Sequence, residues 1–245
     1  MTTSLDQTTS PDQDSAIEPR EVSLPRRALA ELIGTALLVA VVVGSGIMAV
    51  NLSPDQVGLQ LLENSTATVF GLAALILVFG PVSGAHFNPA VTLADCILQG
   101  RSLRDALAYV PAQIAGAIGG AVLANLMFDL SAITTSHHAR SDAHLRLGEV
   151  VATLGLIVLI FSLVRTERTV LAAPAVGAYI GAAYWFTSST SFANPAVTIG
   201  RAFSDTFAGI APASIPGFIL AQLLGAAIGV ALVRTFYPGK VAVRR

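Results

Sequence analysis

Charge is scarce in this chain. Asp, Glu, Lys and Arg make up 12% of its 245 residues, against roughly 25% in a soluble domain, so the sequence reads as one built for lipid rather than for water. Formal net charge is −1 and no basic block is present, which excludes the electrostatic footprint of nucleic-acid binding or of docking on acidic partners. Cysteine is nearly absent: Cys96 stands alone, and a single thiol excludes an internal disulfide. The opening stretch 1–25, MTTSLDQTTSPDQDSAIEPREVSLP, lacks the basic start and short apolar core of a signal peptide. Its polar, Pro-containing composition is that of a disordered tail. No Ser-His-Asp or metal-ligand constellation is laid out to support an enzyme, and none is expected.

What is abundant is apolar sequence, 53% of the chain. Runs long enough to cross a bilayer, about 20 residues each, recur at 28–50, 64–82, 103–128, 145–164, 169–186 and 213–236. The expected class is therefore an all-α membrane protein with six transmembrane helices. Basic residues orient it: with the first tail in the cytoplasm, all of the 14 Lys and Arg except Arg140, Arg146 and Arg201 fall on the inner side. Both termini are then cytoplasmic, the second tail being 238–245.

The sequence repeats itself. The first span carries Glu31 and Thr35, the fourth Glu149 and Thr153; HFNPAVTLA at 86–94 is answered by SFANPAVTIG at 191–200. After each Asn-Pro-Ala comes a span with Gln-x-x-Gly-x-x-x-Gly, namely Gln113, Gly116, Gly120 and then Gln222, Gly225, Gly229. An odd number of crossings separates the two copies, so the second half lies inverted relative to the first, the arrangement that puts a transport path at the midplane. The repeats run about 26–128 and 145–237 within a channel domain of 26–237. The glycine spacing reads as close helix packing. A carboxylate inside a span faces protein or a water path, and Glu31 and Glu149 are expected to accept hydrogen bonds from non-helical backbone that no water satisfies. No second carboxylate or His continues a proton relay.

Asn followed by Pro and an apolar run is a helix start: Asn caps, and Pro fits the first helical position. The helices opened by Asn88-Pro89-Ala90 and Asn194-Pro195-Ala196 are too short to span and read as re-entrant half-helices. Inversion brings them together start to start near the bilayer centre, with their positive dipole ends added. Each Asn oxygen is held by its own helix start, which leaves the amide NH2 to donate to a passing solute. Such a centre helps a neutral hydroxylated molecule and opposes a cation or a hydrated proton.

AELIGTALL, SGAHFNPAVT, GEVVATLGL and FANPAVTIG resemble the aquaporin and aquaglyceroporin channels of the major intrinsic protein family, from Arg26 to about Tyr237. The resemblance implies six spans with two half-helices, a pore in every subunit, a homotetramer and no cofactor. Carried over by offsets from the two Asn residues, the family's narrow filter falls on Thr68, Ala182, Ser191 and Val197, with Val69 and Gly181 as the neighbouring alternatives to the first two. Most members have Arg where this chain has Val197, and Val neither narrows the path nor donates hydrogen bonds. A small set of bacterial members linked to arsenic detoxification resembles this chain in replacing that Arg. The implied function is a passive channel of the plasma membrane for arsenous acid and glycerol-like polyols, with water passing too. A water-selective channel and a coupled secondary transporter are the alternatives, the latter because inverted repeats with broken helices also build transporters.

Arg201 lies four residues after Val197 on the same helix face, and helical side chains lean toward their N-terminus. It is therefore a candidate to reach the outer mouth in place of the missing Arg, against the alternative of an interfacial side chain. His86 is expected to line the inner mouth or to pack within its loop. The adjacent His137 and His138 lack a third ligand and do not make a metal site.

Overall fold

The structure is a computed structural model and describes residues 22–239. The expected tails therefore fall largely outside the described residues, at 1–21 and 240–245. The boundary at residue 25 shifts slightly, because α1 begins at Leu24 with Pro25 at its first turn, where a missing N–H costs nothing.

Helices make up the regular structure among the described residues. α1 (Leu24–Leu52), α2 (Val57–Ser83), α3 (Pro89–Gln99) and α4 (Leu103–Met127) form the first half. The second half comprises α5 (Ala143–Arg165), α6 (Ala172–Phe186), α7 (Pro195–Gly200) and α8 (Ile215–Phe236). Short 3-10 turns at Thr169–Leu171 and Pro212–Ser214 extend α6 and α8 backward, and Arg201–Phe203 extends α7 forward. Six of these segments are long and apolar enough to cross a membrane, and they coincide with the six runs read from the sequence. Chain direction puts the start of α1 and the end of α8 on one end of the bundle, called here the terminal face; the other end is the far face.

The largest difference from the expected spans is at α2, which starts at Val57 rather than near Asn64. Its first two turns hold Gln60, Glu63 and Asn64, which lower the hydropathy without ending the helix. Each finds a partner in or beside α1: Gln60 Nε2 donates to the Ser53 carbonyl at 2.8 Å, Glu63 Oε1 accepts from Ser53 Oγ at 2.7 Å, and Asn64 Nδ2 donates to the Val42 carbonyl at 2.8 Å.

The inverted repeat is visible in the packing. α1 lies along α4, and α5 along α8, as the closest helix pairs. A Cβ at Gly116 or Gly120 would run into the Leu32 and Ala36 carbonyls of α1, and one at Gly225 into the Val150 carbonyl of α5. These glycines let backbones approach where lipid supplies no hydrophobic drive for helices to associate. Large apolar side chains such as Phe70, Leu107 and Leu220 point outward, as a surface meeting lipid requires. The core instead gathers around α3 and α7, with Phe87, Ala90, Leu98, Ala193 and Ala196 almost fully enclosed.

α3 and α7 are the half-helices. α3 has 11 residues and α7 only 6. The helix tightens at Arg201, whose N–H is shared between the Ile199 and Val197 carbonyls, and Ser204 is extended, its hydroxyl donating to Asn125 Oδ1 at 2.7 Å.

Candidate pore and its two mouths

The loops entering the half-helices are matched residue by residue. Left-handed backbone occurs at Ala85 and Phe87 in the first, and at Ser191 and Ala193 in the second, with φ between 48° and 51°. In both loops these are the positions three and one before the Asn. Non-Gly residues there cost roughly 1–2 kcal/mol each, so the loops need support. Glu31 accepts from the backbone N–H of His86 at 3.0 Å and of Phe87 at 2.6 Å; Glu149 accepts from Phe192 at 2.9 Å and Ala193 at 2.8 Å. Both carboxylates are fully buried, and the backbone they hold has no water to turn to.

Gln113 and Gln222 complete the frame. Gln113 Nε2 donates to Glu31 at 2.8 Å and to Thr92 Oγ1 at 3.0 Å; Gln222 Nε2 donates to Glu149 at 2.6 Å and to Thr198 Oγ1 at 2.9 Å. Thr92 and Thr198 in turn donate to the carbonyls of Asn88 and Asn194. The glycine spacing of these spans reads as packing alone and leaves the Gln and Thr without a role. The signal was present, since each residue repeats at the same offset in both halves.

Asn88 and Asn194 cap as expected. Asn88 Oδ1 accepts from the Ala90 N–H, and Asn194 Oδ1 from those of Ala196 and Val197. The amide nitrogens are less free than the sequence suggests: Asn88 Nδ2 donates to the Ala193 carbonyl at 2.7 Å, and Asn194 Nδ2 to the Phe87 carbonyl at 2.8 Å. One hydrogen of each amide thus ties the halves together. The other remains for the cavity that both side chains line.

That cavity has a volume of about 640 Å³. Its lining passes from His86, Asp95 and Arg101 toward the terminal face, through Asn88 and Asn194, to Thr68, Ser191, Val197 and Arg201 toward the far face. Leu72, Ile76, Leu156, Ile160 and Val176 make its apolar wall.

Three of the four filter positions, Thr68, Ser191 and Val197, lie on this cavity; Ala182 does not. Ala182 is exposed on the outer side of α6, whereas Ile180 and Tyr184 face inward. Two residues along a helix turn about 200°, so a gap-free offset that lands on 182 in place of 184 falls on the opposite face. The neighbouring Gly181 packs against Val69. Tyr184 is the α6 residue at this level, its hydroxyl 3.2 Å from Thr68 Oγ1.

The mouths differ in charge. Toward the terminal face, His86 Nδ1 is 3.0 Å from Thr92 Oγ1 and its Nε2 is 3.5 Å from Asp95, which also pairs with Arg101. The Arg101 guanidinium lies 5.2 Å from the Tyr109 ring centre. His86 is thus both packed in its loop and on the cavity wall. Toward the far face, Arg201 is 3% exposed. Its Nε donates to the Ala208 carbonyl, and its guanidinium carbon stands 3.4 Å from the Phe192 ring centre. Outside the cavity, His137 and His138 close on Asp205, His137 through both its backbone N–H and its ring at 2.9 Å. These donors hold the Asp205 carboxyl below its ordinary range.

The family model described as major intrinsic protein matches residues 18–191. The chain is 49% identical to aquaglyceroporin AqpS of Rhizobium meliloti (strain 1021) over 228 residues, 92% of this chain and 97% of that one. It is 34% identical to aquaporin NIP1-1 of Oryza sativa subsp. japonica over 185 residues, 72% of this chain and 63% of that one. Among solved structures, the aquaglyceroporin from Plasmodium falciparum superposes with a TM-score of 0.66 over 87% of this chain and 97% of that chain, at 20% identity. That likeness fixes the fold: six crossings with two half-helices. The matched segment takes in more than half of the sequence and the bacterial relative is similar along nearly its whole length, so the chain belongs to the major intrinsic protein family of membrane channels.

Proposed function

We propose that this chain is a passive channel for small uncharged solutes, foremost arsenous acid and glycerol-like polyols, with water also passing. The observation that carries the reading is Val197 on the cavity wall beyond the second half-helix start. With Thr68, Tyr184 and Ser191 it makes a ring that is apolar on one side and hydroxylated on the other. A polyol slides its carbon side along Val197 and the Tyr184 ring while its hydroxyls exchange hydrogen bonds with Thr68, Ser191 and the free hydrogens of Asn88 and Asn194. Arsenous acid is neutral near pH 7 and presents hydroxyls in a similar display.

Coupling to an ion gradient calls for a carboxylate, His or basic group at the solute site, and the ring of Thr68, Tyr184, Ser191 and Val197 has none. Glu31 and Glu149 stand behind the loops with their oxygens occupied by backbone and Gln donors, which favours a supporting role over a relay. The channel is proposed to sit in the plasma membrane as a homotetramer with both termini cytoplasmic, so that the terminal face is the inner one. The AqpS relative is named an aquaglyceroporin, in keeping with a polyol-sized path.

The test is stopped-flow permeability of proteoliposomes to water, glycerol and arsenite. Wild type passes all three faster than empty vesicles. Val197→Arg keeps water and lowers glycerol and arsenite flux at least about tenfold, equivalent to ~1.4 kcal/mol. Wild type that passes water alone would replace this reading with a water-selective channel.

A further inference from the structure

Two guanidinium groups flank Phe192 at the far mouth, and among the described residues neither has a carboxylate within pairing distance. Arg201 lies with its guanidinium carbon 3.4 Å from the ring centre, Arg140 with its own at 5.2 Å. Their protein acceptors are neutral carbonyls, Ala208 for Arg201 Nε and Gly209 for Arg140 Nε. Glu149, the carboxylate of this half, is committed to Phe192, Ala193 and Gln222. A charge removed from water calls for a counter-charge or a full set of hydrogen bonds, and here the protein supplies neither.

The unmet donors belong to residues that line one cavity. Arg201 lines the cavity, and its two terminal nitrogens make no hydrogen bond to protein. Ser191 lines the same cavity, is 3% exposed, and its Oγ has no hydrogen-bond partner. Val197 and the Phe192 ring bound the space with apolar surface, which strengthens any ionic contact by excluding water.

We propose that the far mouth is a binding site for one small monovalent oxyanion, whose oxygens accept from the Arg201 guanidinium and from the Ser191 hydroxyl. The planar fork of Arg selects an anion with two oxygens in one plane over a spherical one. Arg140, which is not on the cavity wall, acts from behind Phe192 as a positioning and field-setting charge. An occupied site withholds these donors from the hydroxyls of a neutral solute, so the anion slows polyol passage. The anion site goes beyond the neutral-solute reading and does not depend on it; its effect on polyol flux rests on that reading.

Sodium nitrate is a suitable probe because it is planar and fully ionised throughout the useful pH range. Full-length protein in lipid nanodiscs is titrated with nitrate by calorimetry, with chloride at equal ionic strength as comparison, and glycerol flux is measured in both salts. Nitrate is expected to bind saturably and to slow glycerol flux, and chloride to do neither comparably. Arg201→Gln lowers nitrate affinity at least about tenfold, as loss of a charge-assisted pair does. Arg201→Lys recovers part of it, and Ser191→Ala lowers it by a smaller factor. The proposal is overturned by no saturable nitrate heat, by chloride binding as well as nitrate, or by unchanged affinity in Arg201→Gln. Should that variant not fold, unchanged nitrate affinity in Ser191→Ala overturns it. Calorimetry is independent of conduction, so absent glycerol flux counts against the functional reading and not against the anion site.

Discussion

Glu31 and Glu149 hold the two NPA loops by the same backbone positions, yet the mouths beyond those loops share almost no chemistry. The frame is duplicated down to Gln113 and Gln222, Thr92 and Thr198, and the left-handed pair before each Asn. Beyond it, the terminal mouth pairs its charges, Asp95 with Arg101 and His86, while the far mouth leaves Arg201 with a carbonyl and a ring. The contrast has a physical source. Irregular backbone at membrane depth has one set of tolerable partners, buried side chains at fixed places, so the frame admits little variation. A mouth meets the solute, and its residues can change with what passes.

The frame itself is not perfectly symmetric, and the difference gives the largest expected effect. Glu31 takes a further hydrogen bond from Ser83 Oγ at 2.6 Å, which Glu149 has no counterpart for. Glu31→Ala is expected to cost about 3–5 kcal/mol by stranding buried donors, and Glu149→Ala somewhat less. Unfolding midpoints of the purified variants check this; equal losses would mean that Ser83 adds nothing.

The caps come next. Asn194 caps two N–H groups and Asn88 one, and each spends one amide hydrogen across the dyad. Either Asn→Ala loses a cap, about 1 kcal/mol, and a cross-tie of about 0.5–1.5 kcal/mol, with Asn194→Ala the costlier. Thermal midpoints in the opposite order would show that the cross-ties outweigh the caps.

The smallest effect separates the two faces of α6. Tyr184→Phe removes the hydroxyl contact to Thr68, worth about 0.5–1.5 kcal/mol, and changes glycerol flux by less than the tenfold given for Val197→Arg. Ala182→Val, on the outer face, leaves flux as it is. If Ala182→Val lowers glycerol flux and Tyr184→Phe does not, the α6 assignment reverts to the offset count.

The sequence alone determined the class, the six crossings, the inverted repeat, the two helix starts and the burden on Glu31 and Glu149. Each rests on a local rule: apolar length against bilayer thickness, Asn-Pro at a helix start, a carboxylate too costly to leave unpaired in lipid. Tertiary structure alone decided that Tyr184 rather than Ala182 faces the cavity, that each Asn amide ties to the opposite loop, and that Arg201 folds onto Phe192. α6 is apolar on every side, so no periodicity marks its inner face, and a slip of one residue turns a helix by about 100°. The loop between Phe186 and Asn194 sets that rotation through left-handed turns at Thr190, Ser191 and Ala193. Its path is fixed by the Phe192 and Ala193 N–H groups that Glu149 holds from α5, a contact within the second half between residues 43 and 44 apart in the chain, which no local pattern marks.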